Sequence, residues 1–276
     1  MNRAVIDIGS NSVRLLMPNS NTKQISSTQV AEGMVHTGYL KNDAIERTAK
    51  AVIEFYNTAM QGGADKVCVF ATEAIRSANN RQDFANRLLQ ENISIHILTP
   101  SEEARIGYIG ASQGGKASVL DVGGASSELI VGEDDKILYS KSLPIGIVKL
   151  KDLCKGQDIA KLKQIVKEKI EEYGNVPESD YLIGIGGTAS TIVAVLLGGY
   201  DRDKIHNYNL SLEEIVKCLE IISSAKDKSL LPGLCPKRAE VIIPGIIIIL
   251  EVMEKLGKTT ILVSENDNME GYLSFF

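Results

Sequence analysis

In the stretch SVLDVGGASSELIVG, residues 118–132, two apolar runs flank glycines and small polar residues, with Asp121 on one arm and Glu128 on the other. The pattern predicts a tight hairpin whose turn N–H groups and hydroxyls form a nest for an anion. A carboxylate on each arm does not favour an anion by itself. It favours an anion accompanied by a metal ion, or by a water that must lose a proton. The same pattern stands at the N-terminus as AVIDIGSNSVRLLM. Aligning Asp7 with Asp121 sets Gly9 on Gly123, Ser10 on Gly124, Ser12 on Ser126 and Leu15 on Leu129 without a gap, and Arg14 falls where Glu128 stands. One hairpin thus offers a cation to phosphate oxygens and the other a carboxylate. A third glycine turn, in LIGIGGTASTIVAV at 182–195, follows a strand pattern and opens a helix, so the N–H groups of Gly186, Gly187 and Thr188 also point at an anion. Three such nests imply a polyphosphorylated ligand.

Composition narrows what else the chain can be. Its 276 residues suffice for two domains of ordinary size, and 44% apolar with 24% charged residues fits a folded globular protein. A formal charge of −5 argues against a broad nucleic-acid surface, so a phosphate ligand must be held by local groups in a cleft. The longest apolar run, VIIPGIIIIL at 241–250, is bracketed by Lys237, Arg238, Glu240 and Glu251. It is about half of the roughly 20 residues that cross a bilayer, so it is expected to be a buried helix with no membrane role. The N-terminus enters a strand pattern directly, without the features of a signal peptide, and the expected location is cytoplasmic. Cys68, Cys154, Cys218 and Cys235 lack C-x-x-C spacing, so neither zinc nor a disulfide is expected. His36, His96 and His206 show no mutual spacing and read as structural or surface residues.

The elements that must position these residues follow a repeated order. Strands are predicted near 3–9, 12–18 and 24–31, then a helix over 42–60 ended by Gly62 and Gly63. A strand in KVCVFAT, a helix near 80–91, a strand in ISIHIL and a helix over 102–113 complete the first round. The order restarts at Val119 with the second hairpin, a strand in DKILYSKSL, helices near 158–173, the strand 181–185, helices over 187–198, 211–224 and 237–256, the strand TTILVS and a short closing helix. Duplicated β-β-β-α-β-α units predict an α/β protein of two similar domains, 1–117 and 118–276, with a cleft between them and the last helix packing back on the first domain.

At this point DIGSNSVRLL, ATEAIRSA, SEEAR, LDVGGASSELIVG, SLPIGIVKL and GIGGTAST, in this order, resemble the exopolyphosphatase and guanosine pentaphosphate phosphatase family over the whole chain. The resemblance implies the fold of the actin, Hsp70 and sugar-kinase superfamily. Thr99, Pro100 and Glu102 form a capping box at a helix start, which gives Glu102 a structural task. Glu103, alone, reads as an exposed acid complementing the helix dipole; the resemblance implies the general base that deprotonates the attacking water. Asp7, Asp121 and Glu128 are implied as ligands of Mg²⁺, with Asp121 and Glu128 also holding the water. Arg76, alone a solvated group, is implied to lie near the phosphates together with Arg14 and Lys149. The phosphate nests are Gly9, Ser10, Asn11 and Ser12; Gly123, Gly124, Ala125, Ser126 and Ser127; and Gly186, Gly187 and Thr188.

The chain departs from the family pattern in three places. Ala125 stands where relatives commonly carry glycine, and in a left-handed conformation it would cost about 1 kcal/mol. Gln29 and Met269 each replace an arginine. The expected activity is Mg²⁺-assisted release of terminal phosphate from inorganic polyphosphate. The alternatives are hydrolysis of guanosine pentaphosphate (pppGpp), a kinase-like phosphotransfer, and a binding or sensor protein that has lost turnover. A homodimer stays open.

Overall fold

The computed structural model describes residues 2–17, 23–124, 126–147, 150–151 and 159–275, with the side chains of Val35 and His36 outside the description. Its contacts divide the chain into a first unit, up to Ile106 and again from Tyr272, and a second unit, Gly107–Gly271.

The first unit carries β1 (Arg3–Ile8), β2 (Ser12–Leu16), β3 (Lys23–Ser27), β4 (Lys66–Ala71) and β5 (His96–Ile97) in one sheet, ordered β3-β2-β1-β4-β5. The second carries β6 (Lys116–Val122), β7 (Ser127–Glu133), β8 (Lys136–Leu143), β9 (Tyr181–Ile185), β10 (Tyr208–Ser211) and β11 (Thr260–Ser264), ordered β10-β11-β9-β6-β7-β8. Removing β10 leaves the same winding twice, an antiparallel meander followed by parallel strands. Each parallel addition is reached through a helical crossover, as parallel pairing requires. β10 was not foreseen; it pairs antiparallel with β11 at the sheet's edge.

Spacing explains the helices. In the 42–61 helix, Ala44, Ile45, Thr48, Ala49 and Val52 are buried, one apolar stripe at i, i+3, i+4 spacing, and Gly62 ends the helix with its N–H on Thr58 O at 2.9 Å. The helix Ile242–Lys255 is buried on all sides from Ile242 to Met253 and forms part of the second unit's core. Pro244 is tolerated because it lies in the first turn, where its missing N–H has no intrahelical acceptor. Among the described residues no helix is long and apolar enough to cross a membrane.

Three local expectations are revised. β3 stops at Ser27 because the chain turns back at Thr28, with Gln29 at φ 51°. Only His96–Ile97 of ISIHIL enters the sheet. The short helix Glu73–Ser77, which carries Arg76, was not foreseen. The boundary between the two contact units falls inside the helix Pro100–Ala111. The second half of that helix packs in the second unit: Tyr108 donates to Gly115 O at 3.1 Å, and its ring lies against Gly132. The chain end belongs to the first unit through Tyr272, whose ring stacks on Phe70 at 4.8 Å between centroids.

Gly110 marks the closest approach in this region. A Cβ there would lie 2.0 Å from Asp267 O and 2.8 Å from Gly271 N, so the helix must sit backbone to backbone on this segment. Gly110→Ala therefore sets two effects against each other. Alanine gains about 1 kcal/mol of helix propensity, whereas relieving a backbone overlap of this depth costs more, about 2 kcal/mol or above net. Urea unfolding is expected to show destabilisation; a stabilised variant would mean that the helix shifts freely.

Candidate functional site

In the first unit Asp7 on β1 and Arg14 on β2 are direct cross-strand partners. Arg14 Nε donates to Asp7 Oδ2 at 2.9 Å, and Nη2 donates to the same oxygen. Gly9 N–H closes the turn on Ser12 O at 3.0 Å. From behind, Thr28 and Gln29 donate to Asn11 O, and Ala31 donates to Ser10 O. This turns the carbonyls of the loop toward residues 28–31 and gives Gln29 a structural place.

Glu102 and Glu103 make different contacts. Thr99 N–H and Oγ1 both reach Glu102 Oε2 at 2.8 Å, and Glu102 N–H returns to Thr99 Oγ1 at 3.2 Å, a closed capping box. Glu103 Oε2 instead accepts from Arg76 Nη1 at 2.7 Å, and the same nitrogen reaches Leu98 O at 2.7 Å. Arg76 Nη2 donates to Glu73. Burial opposes the charge on Arg76, but its hydrogen bonds and Coulomb attraction to Glu103 and then Glu73 outweigh it and hold the guanidinium above its ordinary range.

In the second unit Asp121 on β6 and Glu128 on β7 are cross-strand partners at the register position that Asp7 and Arg14 occupy in the first. Gly123 N–H closes this turn on Ser126 O, again at 3.0 Å. The loop is braced from behind by Ile147 N–H on Gly123 O, Ser127 Oγ on Ile145 O at 2.6 Å and Tyr173 OH on Ser127 O at 2.9 Å. Tyr173 is buried, which pushes its hydroxyl far above its ordinary range, with the charge of Glu128 adding to it. It acts as a fixed donor.

The third turn meets Asp121 directly. Gly186 has φ 77°, which only glycine adopts without strain, and a Cβ there would lie 2.7 Å from Asp121 Oδ1. Asp121 thus sits at the start of the Gly186–Leu197 helix, whose dipole favours its charge. Arg238 joins it. Its guanidinium lies over Gly187, where a Cβ would come within 1.9 Å of Nη2. Burial pushes Arg238 down from its ordinary range while the charges of Cys235 and Asp121 oppose that shift.

Not every predicted phosphate group faces outward. Ser127 and Thr188 are buried, and the Thr188 hydroxyl donates to Val122 O at 2.9 Å, so these two side chains brace the loops. Ala125 and Lys149 lie outside the described residues. Among the described residues no group of three or more His, Cys, Asp or Glu side chains is placed to hold a metal ion. Register opposes Asp7 to Arg14, and the carboxylate takes that cation. The pair Asp121–Glu128 remains, two oxygen donors on neighbouring strands, which suits Mg²⁺ because that ion binds through one or two carboxylates and keeps several waters.

These features match a known set of proteins. The sequence profile of the Ppx/GppA phosphatase family fits residues 7–274. The chain belongs to the Ppx/GppA phosphatase family. Within it, the chain is 32% identical to the bifunctional 3-dehydroquinate synthase/phosphatase of Fusobacterium nucleatum over 98% of its own length, and spans 46% of that relative. It is 26% identical to exopolyphosphatase 2 of Mycobacterium tuberculosis, covering 97% of this chain and 96% of the relative. The crystal structure of the Aquifex aeolicus Ppx/GppA family member superposes with a TM-score of 0.85 at 29% identity, covering 99% and 96% of the two chains. The two-domain, actin-like α/β fold is that of the family.

Set against the family pattern, Met269 is not a lost surface cation. It is fully buried, and its N–H donates to Asp267 Oδ1 at 3.0 Å while Asp267 N–H donates to Glu270 at 2.8 Å. Residues 267–270 cap the helix Asn268–Phe275 instead. Arg238 is the residue that sequence reasoning missed; the available signal was a lone arginine preceding an otherwise apolar helix.

The capping box generates a pH prediction. The Thr99 N–H, then its hydroxyl, holds the Glu102 carboxyl below its ordinary value of 4.5. A depressed folded-state pKa stabilises the protein above the unfolded value, and that stability is lost as pH falls through the folded one. The stability gap between the wild type and Glu102→Gln is therefore expected to be full at neutral pH and to close as the carboxylate protonates. Urea unfolding across the acid range checks this. A gap independent of pH would remove the charge from the account.

Proposed function

We propose that the chain hydrolyses a phosphoanhydride and releases the terminal phosphate of inorganic polyphosphate, with Glu103 as general base. The observation that carries this reading is the pair of hairpins with one closure and one register, bearing Asp7–Arg14 in the first unit and Asp121–Glu128 in the second. Glu103, fixed through Oε2 by Arg76, accepts the proton of the attacking water. The turn N–H groups, Arg76 and Arg238 neutralise charge on the equatorial oxygens, which is where phosphoryl transfer gains most of its rate. Asp121 and Glu128 would hold Mg²⁺, which when bound supplies charge neutralisation and orients phosphate oxygens. Family membership and relatives named as exopolyphosphatases support the reaction class.

A second reading, hydrolysis of pppGpp, draws on the 27% identical guanosine-5'-triphosphate,3'-diphosphate pyrophosphatase of Aeromonas hydrophila, of which the chain spans 58%. Phosphate release from short polyphosphate, long polyphosphate and pppGpp, with and without Mg²⁺, separates the two readings.

Glu103→Gln is the sharper test of mechanism. The amide keeps the shape and loses the proton acceptor, so phosphate release is expected to fall by roughly 10² to 10⁴. Polyphosphate affinity should hold or tighten, because one negative charge is gone. Glu102→Gln keeps the cap, since glutamine serves at that position, and should remain active. An active Glu103→Gln beside an inactive Glu102→Gln would reverse the assignment.

A further inference from the structure

The row of side chains that contains Asp121 and Glu128 extends by one strand. Ser142 on β8 is the cross-strand partner of Glu128, and its Oγ donates to Glu128 Oε1 at 2.6 Å. The equivalent row of the first unit runs Asp7, Arg14, Ile25, and there the third residue is an apolar side chain exposed at 65%. The third strand therefore differs with the charge beside it. Next to an arginine that reaches across to Asp7 it carries no donor, and next to a carboxylate it carries a hydroxyl.

We infer that Ser142 is a positioning residue that holds the Glu128 carboxylate in place for a divalent cation. The inference rests on the reading of Glu128 as a carboxylate of the metal site. A glutamate on a half-exposed strand surface loses side-chain freedom when fixed in one rotamer. A short hydrogen bond from a neighbouring strand offsets part of that loss before the ion arrives. The donor's type matters as much as its place. A lysine or arginine at 142 would fix Glu128 equally well but cancel its charge, as Arg14 does for Asp7. A hydroxyl orients the carboxylate and leaves it an anion. Ser142 is itself held on a rigid element, because Leu143, the next residue, is buried and pairs with Ser127, whose Oγ is bound to Ile145 O.

The test is titration of the full chain with Mn²⁺ as a spectroscopic probe, followed by electron paramagnetic resonance, for the wild type, Ser142→Ala, Ser142→Thr and Glu128→Gln. Ser142→Ala is expected to bind Mn²⁺ about tenfold more weakly, and Ser142→Thr, which restores the hydroxyl, within about twofold of the wild type. The thermal midpoints should be unchanged. Phosphate release by Ser142→Ala should recover at raised Mg²⁺, which a purely structural defect would not do. If Glu128→Gln loses Mn²⁺ while Ser142→Ala binds it like the wild type, the inference is overturned and the role of Glu128 stands. If Glu128→Gln binds Mn²⁺ as tightly as the wild type, both fall.

Discussion

A hydrogen bond from a glycine N–H to a serine carbonyl, 3.0 Å in both Gly9–Ser12 and Gly123–Ser126, decides which residues face one another across each hairpin. A slip by one residue would turn every side chain of a strand to the opposite face. Asp7 would then lose Arg14, and Asp121 would lose Glu128. The closure leaves little room: a Cβ at Gly9 or Gly123 would lie 3.4 or 3.2 Å from the accepting carbonyl. Each loop is then tied from behind by the segment that follows its third strand, residues 28–31 in the first unit and 145–147 in the second. The chemistry of each unit is thereby reduced to the choice of residue at a fixed position.

That choice produces opposite electrostatics on one scaffold. Asp7 and Arg14 neutralise each other. Asp121 and Glu128 are like charges directly across a strand pair, an arrangement that destabilises a sheet. The second unit offsets part of their repulsion with the helix start at Gly186 and the charge of Arg238.

What could be read from the sequence was local. The hairpin repeat, the capping box of Thr99 and Glu102, and the helix stop at Gly62 each depend on residues within a few positions of one another. Long-range partners left no comparable signal. Tyr173 reaches Ser127 across 46 positions, and Arg238 reaches the turn at Gly187 from a distant segment. Nor can residue type reveal which hydroxyls face inward: those of Ser127 and Thr188 are held by the carbonyls of Ile145 and Val122. The purpose of Gly110 in the 100–111 helix becomes visible only when the 267–271 backbone lies against it.

The distribution of charge bears on how a polyanion could be held at all. Among the described residues of the first unit's set, the guanidiniums of Arg14 and Arg76 face the carboxylates of Asp7, Glu73 and Glu103. In the second, Arg238 stands against Asp121, whose cross-strand partner is Glu128. Each set carries one carboxylate more than it has guanidiniums. Turn N–H groups and a helix start contribute partial positive charge only. Position 269, where a further cation could have stood, is committed to the core. Under the proposed reading a divalent ion from solution would add positive charge beside these carboxylates and so serve both catalysis and attraction of the substrate.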